Sequence, residues 1–561
     1  MKKFKKFVAS ALAAVMVLGL AACGGGGGTQ ETQAGSGGTA ETETTANEIV
    51  TQETAAAADT SDGTAVDSGA AKESAKDSII MGYTAEPNNI NPGADSKTNA
   101  QMVVAMFHDG LVGKAPEDQS VIVPSISDTW EFSEDGTELT MHIRDDIKFH
   151  DGTPLTVEDV LFSLDYAVSQ GLNASSASVL KSWEDAGDNN IKITLSYPYK
   201  PVLQILATPG YSIISKAFYE QCEADGTNFG MVENGTGAYT LESWTTGDRM
   251  VLKAYDDWHR GAPAIKDVEI RVCSDETSGA LMVENGEIDF FIGMNNADRD
   301  RLAANENLEL VDAYSAGTYI ICMNLQEGPF ADNLALREAV AYAINREEIL
   351  LGGMNGVGSV TPGPITPGYF GYVEDFEPYP YDPEKAKEKM IEAGYPDGID
   401  IEFKVASDSW YSLPAQVIVE QLRQVGIRCD LQIMERAPFL EETQEQLDYE
   451  MCYYITWGDF PDADPVMWGK FHSECIGQPM MNFGGVNDPE VDELLLKART
   501  SLDDQERLDL YAELAEMNKE NVWYLMVLTT YNAVVINKDI EGVTPIPAGY
   551  YNPAFYYWVE A

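Results

Sequence analysis

Histidine is scarce in this chain. Only five occur in 561 residues, at 108, 142, 150, 259 and 472, and they form no cluster. A histidine-built metal centre or a nucleophile–histidine triad would have to draw on residues far apart in sequence. Cysteine is nearly as rare. Of seven, six lie in the body at 222, 273, 322, 429, 452 and 475, with no C-x-x-C pair. Most stand in apolar segments and read as small buried hydrophobes. One or two disulfides would suit an oxidising compartment, with pairing left open. Positive charge is also short: 36 Lys and Arg face 91 Asp and Glu, a net charge of −55. That argues against nucleic acid as a partner and against adhesion to anionic lipid. Solubility is the main implication of the excess acid, and a taste for cationic ligands the weaker one. The G-x-S-x-G elbow, the Walker loop, H-E-x-x-H and the dinucleotide glycine fingerprint are all missing. The expectation is a protein without catalytic residues, metal or cofactor. His150-Asp151 is not an acid–base pair on this reading; Phe149-His150-Asp151-Gly152-Thr153-Pro154 has turn chemistry leading from a strand into a helix.

Long apolar runs are absent too, apart from the first residues. Lys2, Lys3, Lys5 and Lys6 precede an apolar stretch from Phe7 to Leu20, short for a mature membrane span. Leu20-Ala21-Ala22-Cys23 follows, then five glycines. The pattern resembles a bacterial lipoprotein signal: 1–22 would be removed and Cys23 acylated. Buried acyl chains contribute ~0.8 kcal/mol per CH₂, enough for durable anchoring when there are two or three. Residues 24–77 are Gly, Thr, Ala, Glu, Ser and Gln with almost no large apolar side chain, and read as a disordered tether. A flexible coil of that length reaches on the order of 40 Å.

The remainder, 78–561, exceeds one hydrophobic core, so two or more lobes are expected. Its pattern is mixed α/β. Leu139, Met141 and Ile143 alternate, as do Ile191, Ile193 and Leu195, Val268, Ile270 and Val272, and Ile401, Phe403 and Val405. Thr156 with Asp159 signals a capping box before Val160, Leu161, Leu164 and Val168. Leu336, Ala339, Val340, Ala343 and Ile344 mark one helix face. Asp382-Pro383 opens a helix that Gly394 closes. Strand 401–405, helix 414–425 and strand 429–433 form a strand–helix–strand unit. Further helices are expected over 489–499 and 503–520.

Six segments share an order with a known family. Ile147 to Thr156 with Asp159-Val160 and Phe162-Ser163 comes first, then Gly235-Thr236-Gly237-Ala238-Tyr239 and Asn285-Gly286-Glu287-Ile288-Asp289. Leu336-Arg337-Glu338-Ala339 to Ala343-Ile344-Asn345-Arg346, Tyr381-Asp382-Pro383 to Ala393-Gly394-Tyr395, and Asp459-Phe460-Pro461-Asp462 follow. Together they resemble the family 5 extracellular solute-binding proteins, the oligopeptide and dipeptide receptors of ABC importers. The resemblance implies a periplasmic-binding-protein-like fold of type II: two α/β lobes joined by a two-strand hinge, with the ligand between them. Lobe one would take 78–113, 206–325 and 531–561, an extra subdomain 114–205, and lobe two 326–530, with crossings near Asn324 and Tyr531.

A peptide enclosed between lobes must have its charged ends desolvated and partnered. In peptide-binding members an aspartate of the "DYPD" segment meets the ligand's α-ammonium. The resemblance gives that role to Asp459, or to Asp462 should the register differ, since Trp457-Gly458-Asp459 is one residue shorter than the usual Trp-x-x-Asp. Trp457, Trp410 and Tyr411 are candidate pocket walls, flat faces for apolar or cationic groups. Dipeptide-specific members carry an arginine for the ligand carboxylate in the stretch matching 404–413, which here has none. Lys404 is the cation in that stretch. The implied protein is a monomeric receptor, lipid-anchored outside the cytoplasm of a bacterial cell. It would capture peptides and deliver them to ABC importer permease subunits. Receptors of the same fold for an oligosaccharide, a nickel chelate or haem, and an extracellular hydrolase, are the alternatives.

Overall fold

The computed structural model describes residues 73–95, 97–171, 178–458, 460–546 and 551–559. Cys23 and most of the proposed tether lie outside them. The last residues before the body differ from the expectation of a free tether. The Ala75 N–H donates to the Trp558 carbonyl at 2.9 Å, the Trp558 N–H to the Ser74 hydroxyl at 2.8 Å, and Lys76 sits 4.1 Å from the Trp558 ring. Composition hid this, because the partner stands at the far end of the chain.

The alternating segments form strands. In Glu138–Ile143 the residues Leu139, Met141 and Ile143 are buried, and Asn190–Leu195 buries Ile191, Ile193 and Leu195. Both belong to a four-stranded sheet completed by Ser127–Phe132 and Leu180–Gly187. A second sheet has seven strands with Ser78–Tyr83 at its middle, parallel to Asp267–Val272 and Phe290–Ile292. A third has six. In it Ile399–Ala406 runs parallel to Ile427–Met434 and Met451–Trp457, and Gly317–Met323 runs antiparallel between Met451–Trp457 and Tyr524–Thr529. Each of these three sheets has its own apolar core.

Helix ends follow local chemistry. Thr156 and Asp159 make the reciprocal capping box of Val157–Gln170, which Gly171 closes at φ 70°. Asp382 caps Pro383–Glu392 through the Lys385 N–H at 2.9 Å. One helix departs from expectation. Ser409–Gln424 begins before Pro414 and contains it. The proline is accommodated against Gly353, where a Cβ would come within 2.7 Å of the Pro414 Cα. All six body cysteines are free thiols, five buried and Cys429 partly so.

The chain passes from the seven-stranded to the six-stranded sheet between Leu308–Tyr314 and Gly317–Met323, and returns between Tyr524–Thr529 and Tyr531–Asn537. The first switch, at Ser315 and Ala316, precedes the Asn324 expected for it. Asn324 instead lies at the far end of its strand, its side chain donating to the Leu447 and Tyr449 carbonyls at 2.8 and 2.9 Å. The two crossings touch: Ser315 N–H donates to Thr530 at 2.7 Å, and the Thr529 hydroxyl to Gly317 at 2.9 Å.

The turn at 149–154 is a structural pin. His150 Nδ1 meets Glu233 at 2.6 Å and Nε2 meets the Gly237 carbonyl at 3.0 Å, with both charged side chains about 5–6 % exposed. Gly235 and Gly237 let this segment pack on the Phe107 backbone, which a Cβ on either would strike. Burial pulls the His150 imidazole down, but Glu233 outweighs it and the group stands above its ordinary value. Burial pushes Glu233 up, and His150 outweighs that, leaving it below its own. The raised histidine stabilises the fold fully below about pH 6.5 and loses this as pH rises through its folded value. The lowered glutamate stabilises above about pH 4.3 and loses this as pH falls through its folded value. Glu233→Gln should therefore cost about 3 kcal/mol near pH 5.5, and less on either side. Melting curves of both proteins across pH test this; a difference independent of pH would refute it.

Candidate ligand-binding site

The parallel strands of the six-stranded sheet end together. Ala406 pairs with Met434 in register, and Trp457 ends the neighbouring strand opposite Gly317, the first residue past the crossing. Ligand sites of α/β sheets form beyond such carboxyl ends. Residues 408–411, 436 and 457 therefore converge at one edge, next to the two crossings.

A cleft of about 550 Å³ opens beside Trp457, within the range of small-molecule sites. Tyr197 and Tyr199 line it from the segment after the four-stranded sheet, together with Trp468, Met480 and Arg499. Arg499 donates twice to Asp464, at 2.9 and 2.8 Å, and Tyr199 OH donates to the same carboxylate at 2.7 Å. Trp468 lies between Arg499, 3.5 Å from its centroid, and His472, stacked at 3.8 Å. Its faces are covered, so only its edge meets the cleft. Trp457 keeps 36 % of its surface exposed.

The other sequence candidates divide. Asp459 lies outside the described residues. Asp462, the alternative to it, is already engaged: it is buried, caps Ala463–Phe471 through the Asp464 N–H at 2.9 Å, and pairs with Arg507 at 2.6 Å. Burial pushes its carboxyl up against the pull of Arg507. Tyr411 is not an open wall either. It is 3 % exposed and stacks on Tyr454 at 4.8 Å, because the first turn of its helix directs it into the core. Trp410, beside it, is 49 % exposed. Lys404 is taken by Glu442 at 2.8 Å, Glu402 at 3.3 Å and the Asp448 carbonyl at 2.6 Å. Arg507, Arg499, Tyr197 and Trp468 were missed by sequence reasoning. Their partners lie 35 or more positions away or on another element, and no local pattern signals such pairs.

Among the described residues, no group of three or more His, Cys, Asp or Glu is placed to hold a metal ion, and no helix is long and apolar enough to cross a membrane. Two sheets joined by two adjacent strand crossings, with a cleft at the carboxyl edge of one, define a two-lobed periplasmic-binding-protein fold. The chain belongs to the bacterial extracellular solute-binding proteins, family 5, whose middle-region model matches residues 121–478. It is 29% identical over 466 residues to the glutathione-binding protein GsiB of Salmonella typhi, covering 81% of this chain and 89% of that protein. HbpA2 from Haemophilus parasuis superposes with a TM-score of 0.81 at 24% identity, covering 86% of this chain and 99% of that one. The ABC transporter-associated periplasmic binding protein DppA from Helicobacter pylori, in complex with the peptide STSA, superposes with a TM-score of 0.68 at 22% identity, covering 86% and 98%. The chain is a solute-binding receptor.

Proposed function

We propose that the receptor captures peptides between its two lobes and hands them to the permease subunits of an ABC importer, as a monomer without chemistry of its own. The observation that carries this reading is the position of Trp457. It pairs with the first residue past a lobe crossing and also lines the cleft, so closure about the crossings would act directly on a bound solute. The names of the relatives point the same way: glutathione is itself a small peptide, and DppA is described with a tetrapeptide. Asp459 is our candidate for the ligand's ammonium, with Trp457 and Trp410 as flat contacts. Lobe one would be built on the seven-stranded sheet, the extra subdomain on the four-stranded sheet and lobe two on the six-stranded sheet. Cys23 is the proposed lipid anchor to the bacterial cell membrane.

A mixture of short peptides incubated with the protein should be retained and released intact, as read by native mass spectrometry. Fragments would mark a hydrolase, and no retention would favour another solute. In cells, retention should follow the membrane fraction and become soluble on Cys23→Ala. A variant that stays membrane-bound would refute the anchor while leaving the peptide reading standing.

A further inference from the structure

Three cations held inside the six-stranded lobe meet carboxylates: Arg507 meets Asp462, Arg499 meets Asp464 and Lys404 meets Glu442. Arg346 does not. It opens the Arg346–Met354 helix and is 7 % exposed. Its Nε donates to the Met526 carbonyl at 2.8 Å and its Nη1 to the Tyr379 carbonyl at 2.9 Å. Nη2 has no hydrogen-bond acceptor among the described residues. Burial alone acts on the guanidinium, pulling it down to about 10, which leaves it charged at neutral pH. Arg337 is also buried without an ion pair, but three carbonyls accept from it, and the charges of Asp332 and Glu338 reach it. No carboxylate does the same for Arg346.

A cavity of about 20 Å³ lies against Arg346. Pro362, Phe376 and Pro378 give it apolar walls, and Lys519 is its second cation. The Lys519 Nζ stands 3.8 Å from Glu516, beyond hydrogen-bond reach. Among the described residues no Asp or Glu lines the cavity, in a chain with 91 acidic residues against 36 basic ones. The volume admits one water or one ion of similar size. It is too small for phosphate, sulfate or the carboxyl end of a solute. A water would hydrate Nη2 but leave the buried charge uncompensated. A small anion would do both, and apolar walls strengthen its attraction to the guanidinium.

We propose that this cavity is a binding site for a monatomic anion, a halide such as chloride, held by Arg346 with Lys519 as a second source of positive charge. None of its lining residues lines the cleft beside Trp457. The ion is therefore part of the fold and not cargo, and the inference stands apart from the peptide reading. Three elements meet around it: the Arg346–Met354 helix, the Asp504–Asn521 helix through Asn518 and Lys519, and the Tyr524–Thr529 strand through Met526. An ion bound there ties these elements together, so it should raise the stability of the whole lobe.

The test begins with protein exchanged into sodium gluconate, an anion too large for the cavity. Sodium chloride or bromide then replaces gluconate at constant ionic strength, which leaves the screening of the net charge unchanged. The melting temperature of wild type should rise by about 2–4 °C and level off as the site fills. Arg346→Met should not respond, and Arg346→Lys should respond more weakly than wild type. Should Arg346→Met fail to fold, wild-type crystals grown in bromide read the site directly, with an anomalous peak expected beside the Arg346 guanidinium. A wild-type melting temperature indifferent to the replacement would overturn the assignment. So would an Arg346→Met variant that responds as wild type does, or a water beside Arg346 with no anomalous signal. None of these outcomes touches the capture of peptides.

Discussion

Asp462→Ala is expected to destabilise the protein by about 3–5 kcal/mol, because it strands Arg507. The two side chains are 5 % and 2 % exposed and meet at 2.6 Å. Arg507 lies against the Phe370 ring at 4.4 Å, and its Nε is already without a hydrogen-bond partner. The other carboxylate near it, Asp504, stands 3.7 Å from Nη1, beyond hydrogen-bond reach, and makes up little of the loss. The loss of the helix cap to the Asp464 N–H adds about 1 kcal/mol. Arg507→Met in the Asp462→Ala background should recover much of the deficit, since two apolar groups leave no charge unpaired. Urea unfolding of the ligand-free single and double variants measures both effects. Wild-type stability in Asp462→Ala would sink this account. So would a loss of preference for peptides with free N-termini while stability stays intact, because that would return Asp462 to the ligand.

This pair marks where the sequence stops being informative. Segments with a local period were legible. The alternating strands, the Thr156–Asp159 box and the Asp382-Pro383 start are all found where residue spacing placed them. What depends on distant partners was not legible. Arg507 lies 45 positions from Asp462, and Lys404 is neutralised by Glu442, 38 positions on. The first lobe crossing was misplaced because Gly317–Met323 is buried throughout and has no alternation to show where it begins. Gly317 marks its start physically, since a Cβ there would lie 2.4 Å from the Thr456 carbonyl. Tyr411 misled for a related reason. An aromatic residue near a helix start has no sign that says whether it faces a cleft or a core. Trp457 was named from family resemblance, because no local period marks it.

With Asp462 committed to Arg507, the proposal for the ligand's ammonium rests on Asp459 alone. Asp459→Asn should weaken peptides with a free N-terminus by far more than their N-acetylated forms. Enclosed between lobes, an ammonium and its carboxylate are both desolvated, and removing the carboxylate leaves the ammonium uncompensated at about 3–5 kcal/mol, or roughly 10²- to 10³-fold and beyond. An acetylated peptide has no such charge, binds wild type poorly from the start, and has little further to lose. Calorimetric titration of both proteins with both peptides gives the coupling energy from four affinities, without assuming what either group contributes alone. Arg507 keeps Asp462 out of the cycle, so a second cycle on Asp462 should show no coupling once its stability loss is allowed for. Equal penalties for the free and acetylated peptides would show that Asp459 does not read the terminus. In that event a neutral solute, held by Trp457 and the cleft walls without a terminal charge, becomes the better account of the same geometry.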